Sequence, residues 1–283
     1  MAEVGVDSSQ STLFSDKLYW VLEYVSEAGT REARSRTTPE QRWHPPAEAL
    51  VLGSDEVHVW RAALEVPATQ MQAYARLLAS DERARAAKFR FERDRSHFVV
   101  ARGILRSLLS RYLHNESHPL HFTYNQFGKP TLAGEADSQN LLFNVAHSHK
   151  LALYAVTRLG AIGIDLEYMR DDPEYERIAE RFFSPNEVYL LHTVPQEKRL
   201  EAFFACWTRK EAYIKARGMG LSLDLKDFDV SLAPGEPITL LNSREEGLDI
   251  TRWSLYDLSP GAGYKAALAV EGHPVRLMCW QWS

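Results

Sequence analysis

Two acidic residues, Asp165 and Glu167, carry the clearest chemical signal in this chain of 283 residues. They lie in the segment 159–168, whose other residues are mostly small or apolar. This pattern predicts a strand, and because strand side chains alternate between faces, the two carboxylates project from one face. Adjacent carboxylates repel each other unless a proton or a cation intervenes. A small set of hard oxygen ligands suits Mg²⁺ shared with a phosphate substrate.

A third acid, Glu211, lies in the sequence WTRKEA that begins at Trp207. The apolar residues of segment 198–217 recur at helical spacing and predict a helix that ends at Gly218. Glu211 lies on the edge of the apolar stripe and shares a helix face with Lys215. From its position alone, Glu211 is a third metal ligand, a general base, or one partner of a surface ion pair.

Three further features are candidates for binding an anion. Segment 82–106, which includes Arg85, is rich in basic residues within an acidic chain, although a solvated helical face explains most of them. His147 follows an apolar strand and is either a histidine in a turn or a binding residue. Lys129 lies in a Gly-Lys-Pro turn that leaves its side chain available. His147 and His149 lack a third ligand spaced to complete a zinc site.

Composition and charge describe an ordinary globular protein. Hydrophobic residues make up 45% and charged residues 25%, while the net charge of −5 argues against a protein that mainly binds nucleic acid. The two cysteines, Cys206 and Cys279, are too few for a disulfide framework. We find no signal segment and no apolar run of about 18 residues, and therefore expect a soluble, cytoplasmic protein.

The elements that must position these residues fall into two similar sets. Residues 1–53 predict an N-terminal extension that is partly irregular. Residues 54–160 combine helices with short strands, and segments 151–156 and 161–168 predict a hairpin of two strands. Residues 161–283 repeat the plan with a second long helix. We therefore predict an α+β fold of two pseudo-symmetric halves, each a long helix packed on a small, mostly antiparallel sheet.

Several motifs, taken together and in order, resemble the 4′-phosphopantetheinyl transferases of the surfactin-synthetase-activating type. The resemblance covers roughly residues 56–270, and its matching stretches are Phe127–Pro130 (FGKP), Phe143–Ser148 (FNVAHS), Gly163–Glu167 (GIDLE), Arg181–Ser184 (RFFS) and Trp207–Lys215 (WTRKEAYIK). It implies that family's fold and the transfer of the phosphopantetheine arm of coenzyme A to a serine of an apo acyl, peptidyl or aryl carrier protein. Adenosine 3′,5′-bisphosphate would be released, and Mg²⁺ would be the cofactor.

The resemblance also implies roles for the acids of the site. Asp165, Glu167 and Glu211 would hold Mg²⁺ against the coenzyme A pyrophosphate. Glu211 would in addition be the general base for the carrier serine, with Lys215 as a second catalytic residue. A carboxylate within hydrogen-bond reach can take the proton that the serine hydroxyl loses.

The basic residues would bind coenzyme A itself. Lys210 and Lys215 would lie near its phosphates, where a lysine stabilises the charge of the leaving group. Lys129, His147 and Arg85 would contact the 3′-phosphate and the adenine end. One departure from the family pattern is Ala146, which stands where a serine is common and removes one hydroxyl contact to phosphate.

Two other functions remain open at this point. A different Mg²⁺-dependent phosphotransferase on the same scaffold would need the metal but would not modify a carrier protein. A non-catalytic module that binds coenzyme A or carrier proteins would have an incomplete acidic set, whereas all three acids are present here. We expect a monomer, because two halves in one chain can build the cleft that single-domain relatives form between subunits.

Overall fold

The computed structural model describes residues 41–46, 50–114, 120–134, 140–171, 173–272 and 275–283. Most of the predicted extension over residues 1–53 therefore lies outside the described residues. The elements up to residue 168 are β1 (Glu56–Ala63), α1 (Ala68–Leu77), α2 (Ser80–Ala86), α3 (Glu92–Leu113), β2 (Phe122–Tyr124), β3 (Pro130–Leu132), β4 (Leu142–Ser148), β5 (Leu151–Thr157) and β6 (Ile162–Tyr168).

The rest of the chain has a second long helix among shorter elements. They are α4 (Tyr175–Phe182), α5 (Pro185–Thr193), α6 (Gln196–Arg217), β7 (Phe228–Val230), β8 (Leu240–Ser243), β9 (Trp253–Leu258), β10 (Tyr264–Glu271) and β11 (Arg276–Gln281), with 3₁₀ turns at Gly220–Ser222, Leu225–Asp227 and Ile250–Arg252. Within the described residues, no helix is long and apolar enough to cross a membrane.

Two sheets form the centre of the molecule. The first has the strand order β11-β1-β5-β4, in which only the β1–β11 pair is parallel. The second is antiparallel with the order β6-β10-β9, and the pairs β2–β3 and β7–β8 are small separate ribbons. Although β11 is the last strand of the second half of the chain, it completes the sheet of the first half.

The predicted hairpin of segments 151–156 and 161–168 is wrong, because β5 and β6 lie in different sheets. β5 pairs with β1 and β4, whereas β6 pairs with β10. Apolar side chains from both strands, such as Leu153 and Ile164, meet in one layer between the sheets. The two strands therefore pack face to face, which buries more apolar surface than an edge-to-edge pairing of two strands.

A long helix covers the outer face of each sheet. Helix α3 packs on the first sheet through Leu105 and Leu108, and α6 packs on the second through Phe203 and Tyr213. Each of these helices has 22 residues. The α+β prediction of two similar halves, each a long helix on a small sheet, is confirmed.

The contact between β6 and α6 is unusually close at Gly163. A Cβ atom at this position would lie 2.1 Å from the Ala212 carbonyl oxygen and 2.2 Å from the Ala216 backbone nitrogen. Both are backbone atoms of α6, so they cannot turn aside as a side chain could. Only glycine allows the strand and the helix to approach to this distance.

Gly163→Ala should therefore force β6 and α6 apart and lower the free energy of unfolding by about 3 kcal/mol, the upper range for overpacking. The matched control is Gly261→Ala, where an added Cβ meets nothing within 4 Å. The control should change stability by less than about 0.5 kcal/mol. Urea unfolding of both variants measures the difference, and equal stabilities would contradict the close contact.

Candidate functional site

The three predicted acids meet between β6 and α6. Asp165 and Glu167 lie on the face of β6 that also presents Gly163 to α6, as strand alternation predicts, and Glu211 lies on the facing side of the helix. Asp165 is 4% exposed and Glu211 9% exposed, while Glu167 is half-buried. The close helix–strand contact thus brings together acids that are distant in sequence.

Lys215 supplies a positive charge to this cluster. Its Nζ lies 2.5 Å from Asp165 Oδ1, and the side chain is 31% exposed at the rim of the site. Two other buried carboxylate oxygens, Asp165 Oδ2 and Glu211 Oε1, have no hydrogen-bond partner among the residues that the structure describes. Unpartnered buried carboxylate oxygens are costly unless a cation or a proton is available to them.

The surroundings favour the protonated forms of two of these acids. Burial, and then the negative charge of Asp165, raises the pKa of both Glu167 and Glu211. Desolvation lowers the pKa of Lys215, but the carboxylates around it outweigh that effect and raise its pKa overall. Additional positive charge placed among these acids would reverse the shifts of the two glutamates.

The residues fit a hard divalent cation by their chemistry, because the orphaned oxygens belong to carboxylates. They are not arranged as a complete cage: among the residues that the structure describes, no three acidic, histidine or cysteine side chains converge closely enough to hold a metal ion. Binding a metal here would require the acids to draw together around it.

Two polar residues of β4 hold β6 in place, and the sequence analysis did not assign them a role. Ser148 Oγ donates to Glu167 Oε2 at 3.0 Å and accepts from the Tyr168 backbone amide. Asn144 Oδ1 accepts from the Ile164 amide at 2.8 Å and so joins the two sheets. Both lie in the motif FNVAHS, and polar residues on an otherwise apolar strand were the available signal.

His147 and Arg85 are two further candidates. His147 lies in β4 and is exposed, yet desolvation by the surrounding protein and then the charge of Lys215 lower its pKa. The charges of His97, Asp94 and Arg85 have smaller effects on this pKa. Arg85 is exposed, with its guanidinium carbon 5.6 Å from the Phe98 ring centroid.

Other arginines of segment 82–106 have structural contacts. Arg106 Nε donates to Glu82 Oε2 at 2.6 Å, and Arg102 Nε lies 3.4 Å from the other oxygen of the same carboxylate. Arg106 also donates to the Leu120 carbonyl. These two arginines hold α3 against its neighbours, whereas Arg85 is one of several exposed basic residues of this segment.

Lys210 lies away from the acidic cluster, although it directly precedes Glu211. Its side chain is 1% exposed, and its Nζ is 2.7 Å from Glu187 Oε2 and donates to the carbonyls of Leu225 and Phe228. Glu187 also accepts from the backbone amides of Ser184 and Val230. The predicted contact of Lys210 with coenzyme A phosphates receives no support from this placement, because its three donors are already used.

The Lys129 amine also donates its hydrogen bonds within the protein. Its Nζ donates to the carbonyls of Ile162 and Lys215 at 2.9 and 2.6 Å, with Ala216 O at 3.4 Å. Burial lowers the pKa of Lys129 to about 8. The amine points into the junction of β6 and α6, so its predicted contact with the 3′-phosphate receives no support from this placement either.

Comparison with known proteins identifies the family. Models described as the 4′-phosphopantetheinyl transferase superfamily and as 4′-phosphopantetheinyl transferase, N-terminal, match residues 161–269 and 64–158. The 4′-phosphopantetheinyl transferase HetI of Nostoc sp. is 42% identical over 86% of this chain and 99% of its own length. The 4′-phosphopantetheinyl transferase Sfp of Bacillus subtilis is 27% identical, over 70% of this chain and 83% of its own.

A solved apo-ACPS structure from Chronobacterium ammoiniagenes matches 40% of this chain and 96% of its own length, with 20% identity and a TM-score of 0.30. The match to HetI covers most of this chain and nearly the whole of HetI. This chain therefore belongs to the 4′-phosphopantetheinyl transferase superfamily, and the resemblance seen in its motifs is confirmed.

Substitution of the buried Lys210 should destabilise the protein. Lys210→Met leaves the Glu187 carboxylate buried without its counter-charge and should lower the free energy of unfolding by about 3–5 kcal/mol. The double variant Glu187→Gln/Lys210→Met, which removes both charges, should recover part of that loss. Denaturant unfolding of the single and double variants measures it, and a single variant as stable as the wild type would contradict the buried ion pair.

Proposed function

We propose that this chain transfers the 4′-phosphopantetheine arm of coenzyme A to a serine of an apo carrier protein, in a reaction that depends on Mg²⁺. Family membership supports this activity. The observation that carries the assignment to this site is the set of buried carboxylates with unpartnered oxygens beside Lys215, within residues 161–269.

In this proposal Asp165, Glu167 and Glu211 hold Mg²⁺. The metal, when bound, supplies positive charge to the pyrophosphate of coenzyme A as the adenosine bisphosphate leaves. The unpartnered oxygens Asp165 Oδ2 and Glu211 Oε1 support this ligand set, since a cation would satisfy both. Ser148 orients Glu167 by donating to one of its oxygens.

The transfer forms one bond and breaks one. The carrier serine oxygen bonds to the phosphorus that bears the pantetheine arm, and the bond from that phosphorus to the bridging oxygen breaks, which releases adenosine 3′,5′-bisphosphate. The serine proton passes to the Glu211 carboxylate, which has an oxygen left without a hydrogen-bond partner among the described residues. Lys215, fixed by Asp165, stabilises charge on the leaving phosphate.

Coenzyme A would lie with its 3′-phosphate toward His147 and Arg85. Both residues are exposed, and the positive charges of Arg85 and Lys215 both act on the His147 imidazole. Ala146, by contrast, is buried in the apolar layer between the sheets. We further propose a cytoplasmic monomer, consistent with two free, buried cysteines and with a cleft built from one chain.

Intact-mass spectrometry of an apo carrier protein incubated with this chain, coenzyme A and Mg²⁺ tests the proposal. We expect the carrier to gain one phosphopantetheine arm, and EDTA to abolish the gain. Glu211→Gln should slow the transfer by at least about 100-fold, since it removes a proton acceptor and a metal ligand. Glu197→Gln, an exposed acid in the first turn of α6, is the matched control.

No mass gain with several carriers, while coenzyme A still binds, would contradict the transferase and favour a binding module. Consumption of coenzyme A with metal but without carrier modification would instead favour a different phosphotransferase.

The 3′-phosphate contact is tested with truncated coenzyme A. Arg85→Ala should raise the KM for coenzyme A by about tenfold, the effect of losing one charge-assisted hydrogen bond. With 3′-dephospho-coenzyme A the same substitution should change little, because the group that Arg85 contacts is missing. Lys88→Ala, an exposed neighbour, is the control. An equal effect on both substrates would contradict the assignment, and His147→Ala is tested in the same way.

A further inference from the structure

The C-terminal end of α6 needs partners for its last carbonyl groups. A helix leaves its final carbonyls without intrahelical donors, and the end carries partial negative charge from the helix dipole. In α6 the Gly218 amide, in the left-handed conformation at φ 64°, donates to the carbonyls of Ile214 and Lys215. The carbonyls of Ala216 and Gly218 must find donors elsewhere.

The turn between β2 and β3 supplies those donors. We name residues 125–129 the clamp loop. Lys129 Nζ donates to Lys215 O at 2.6 Å and reaches Ala216 O at 3.4 Å, and Asn125 Nδ2 donates to Gly218 O at 2.7 Å. A lysine is the right partner for this end, because its charge is opposite to that of the helix terminus.

The clamp loop is itself held in shape. Asn125 Oδ1 accepts from the backbone amides of Phe127 and Lys129, and the Asn125 amide donates to Lys129 O. The Phe127 ring lies against Gly220, where an added Cβ would be 2.9 Å from it. The loop therefore presents Lys129 and Asn125 to the helix end in a defined geometry.

Lys129 also joins the helix end to the strand that carries two of the acids. Its Nζ donates to Ile162 O, in the first residue of β6, at 2.9 Å. One ammonium thus links the last turn of α6 to β6. Lys215, whose carbonyl accepts from Lys129, extends its own ammonium to Asp165 of β6. Loosening this turn would change the distances among Lys215, Asp165 and Glu211.

We propose that Lys129 is a positioning residue for the transfer reaction, and that the clamp loop holds the last turn of α6 against β6 so that Lys215 and the acids keep their relative places. This role rests on the proposed function of the site. It replaces the contact between Lys129 and coenzyme A that the sequence suggested, because the amine is directed to backbone carbonyls of the helix end and the strand start.

The test compares Lys129→Met with Lys198→Met, which changes an exposed lysine in the first turn of the same helix. Lys129→Met should reduce kcat by about 10- to 100-fold, as expected for loss of a group that orients reacting residues. The KM for coenzyme A should stay the same, and so should the ratio of rates with coenzyme A and 3′-dephospho-coenzyme A. Lys198→Met should match the wild type.

Hydrogen exchange provides a readout that does not depend on catalysis. Peptides covering the last turn of α6 should exchange faster in Lys129→Met and in Asn125→Ala, while peptides from α3 should not change. Lys129→Arg, which keeps the charge and the donors, should retain more of the kcat than Lys129→Met. If the wild type transfers no phosphopantetheine but hydrogen exchange in the variants changes as expected, the proposed function is wrong. The contact of the clamp loop with the end of α6 is then still supported.

Three results would overturn the positioning role. Unchanged kcat and unchanged hydrogen exchange in Lys129→Met would show that the clamp loop does not hold the last turn of α6 against β6. A raised KM for coenzyme A that disappears with 3′-dephospho-coenzyme A would show that Lys129 contacts the 3′-phosphate. Faster exchange throughout the protein, with equal losses in Lys129→Arg and Lys129→Met, would show a general effect on stability.

Discussion

The close approach of β6 and α6 is the constraint on which the site depends. Gly163 leaves no side chain between the strand and the helix, so the helix backbone lies directly on the strand. The same approach places Asp165 and Glu167 opposite Glu211 and Lys215 in a space that water enters poorly. Asp165 and Glu211 therefore keep oxygens without a partner among the described residues, and the pKa values of Glu167 and Glu211 are raised. Both features favour a bound cation. The absence of a side chain at Gly163 therefore allows both the close packing of β6 on α6 and the grouping of the acids.

Three lysines around this contact show how the environment of a side chain decides its task. Lys210 is enclosed with Glu187 in the interior and stabilises the packing of α5 on α6. Lys215 lies one turn and one residue further along the helix, at the rim, where its charge meets Asp165 and remains accessible to a ligand. Lys129 comes from the other half of the chain and is bound to carbonyl oxygens. A lysine ammonium is compact and strongly hydrated, so burial commits it to fixed partners.

The two halves are joined by more than the chain that links them. The Asn144 side chain bonds to β6, β11 returns to pair with β1, and the apolar layer between the sheets contains residues from both halves. The clamp loop adds a contact from the first half to the end of α6. The two halves therefore cannot move independently without breaking hydrogen bonds or exposing apolar surface.

Much of the fold and the pair Asp165 and Glu167 could be predicted from the sequence, because both depend on local periodicity. Glu211 joined the pair only through the resemblance to the family. Helix α6 and strand β6 follow from their apolar spacing, and the facing of Asp165 with Glu167 follows from strand alternation. The pairing of β5 and β6 was mispredicted, since alternation does not reveal which edge or face a strand uses. The role of Ser148 was missed for the same reason, because a side chain's partners lie far away in sequence. The hydrogen bonds of Lys129 to backbone carbonyls could not be predicted either.

The sequence by itself determined the element types, the two-half plan and the shared face of Asp165 and Glu167, since residue types and spacing act over a few neighbouring positions. The tertiary structure alone decided which basic side chains remain available. Packing surrounds the amines of Lys210 and Lys129 with carbonyl and carboxylate oxygens, whereas Lys215 is partly exposed and Arg85 is exposed. The physical reason is that burial and hydrogen-bond partners are properties of contacts between distant segments, which no local pattern contains.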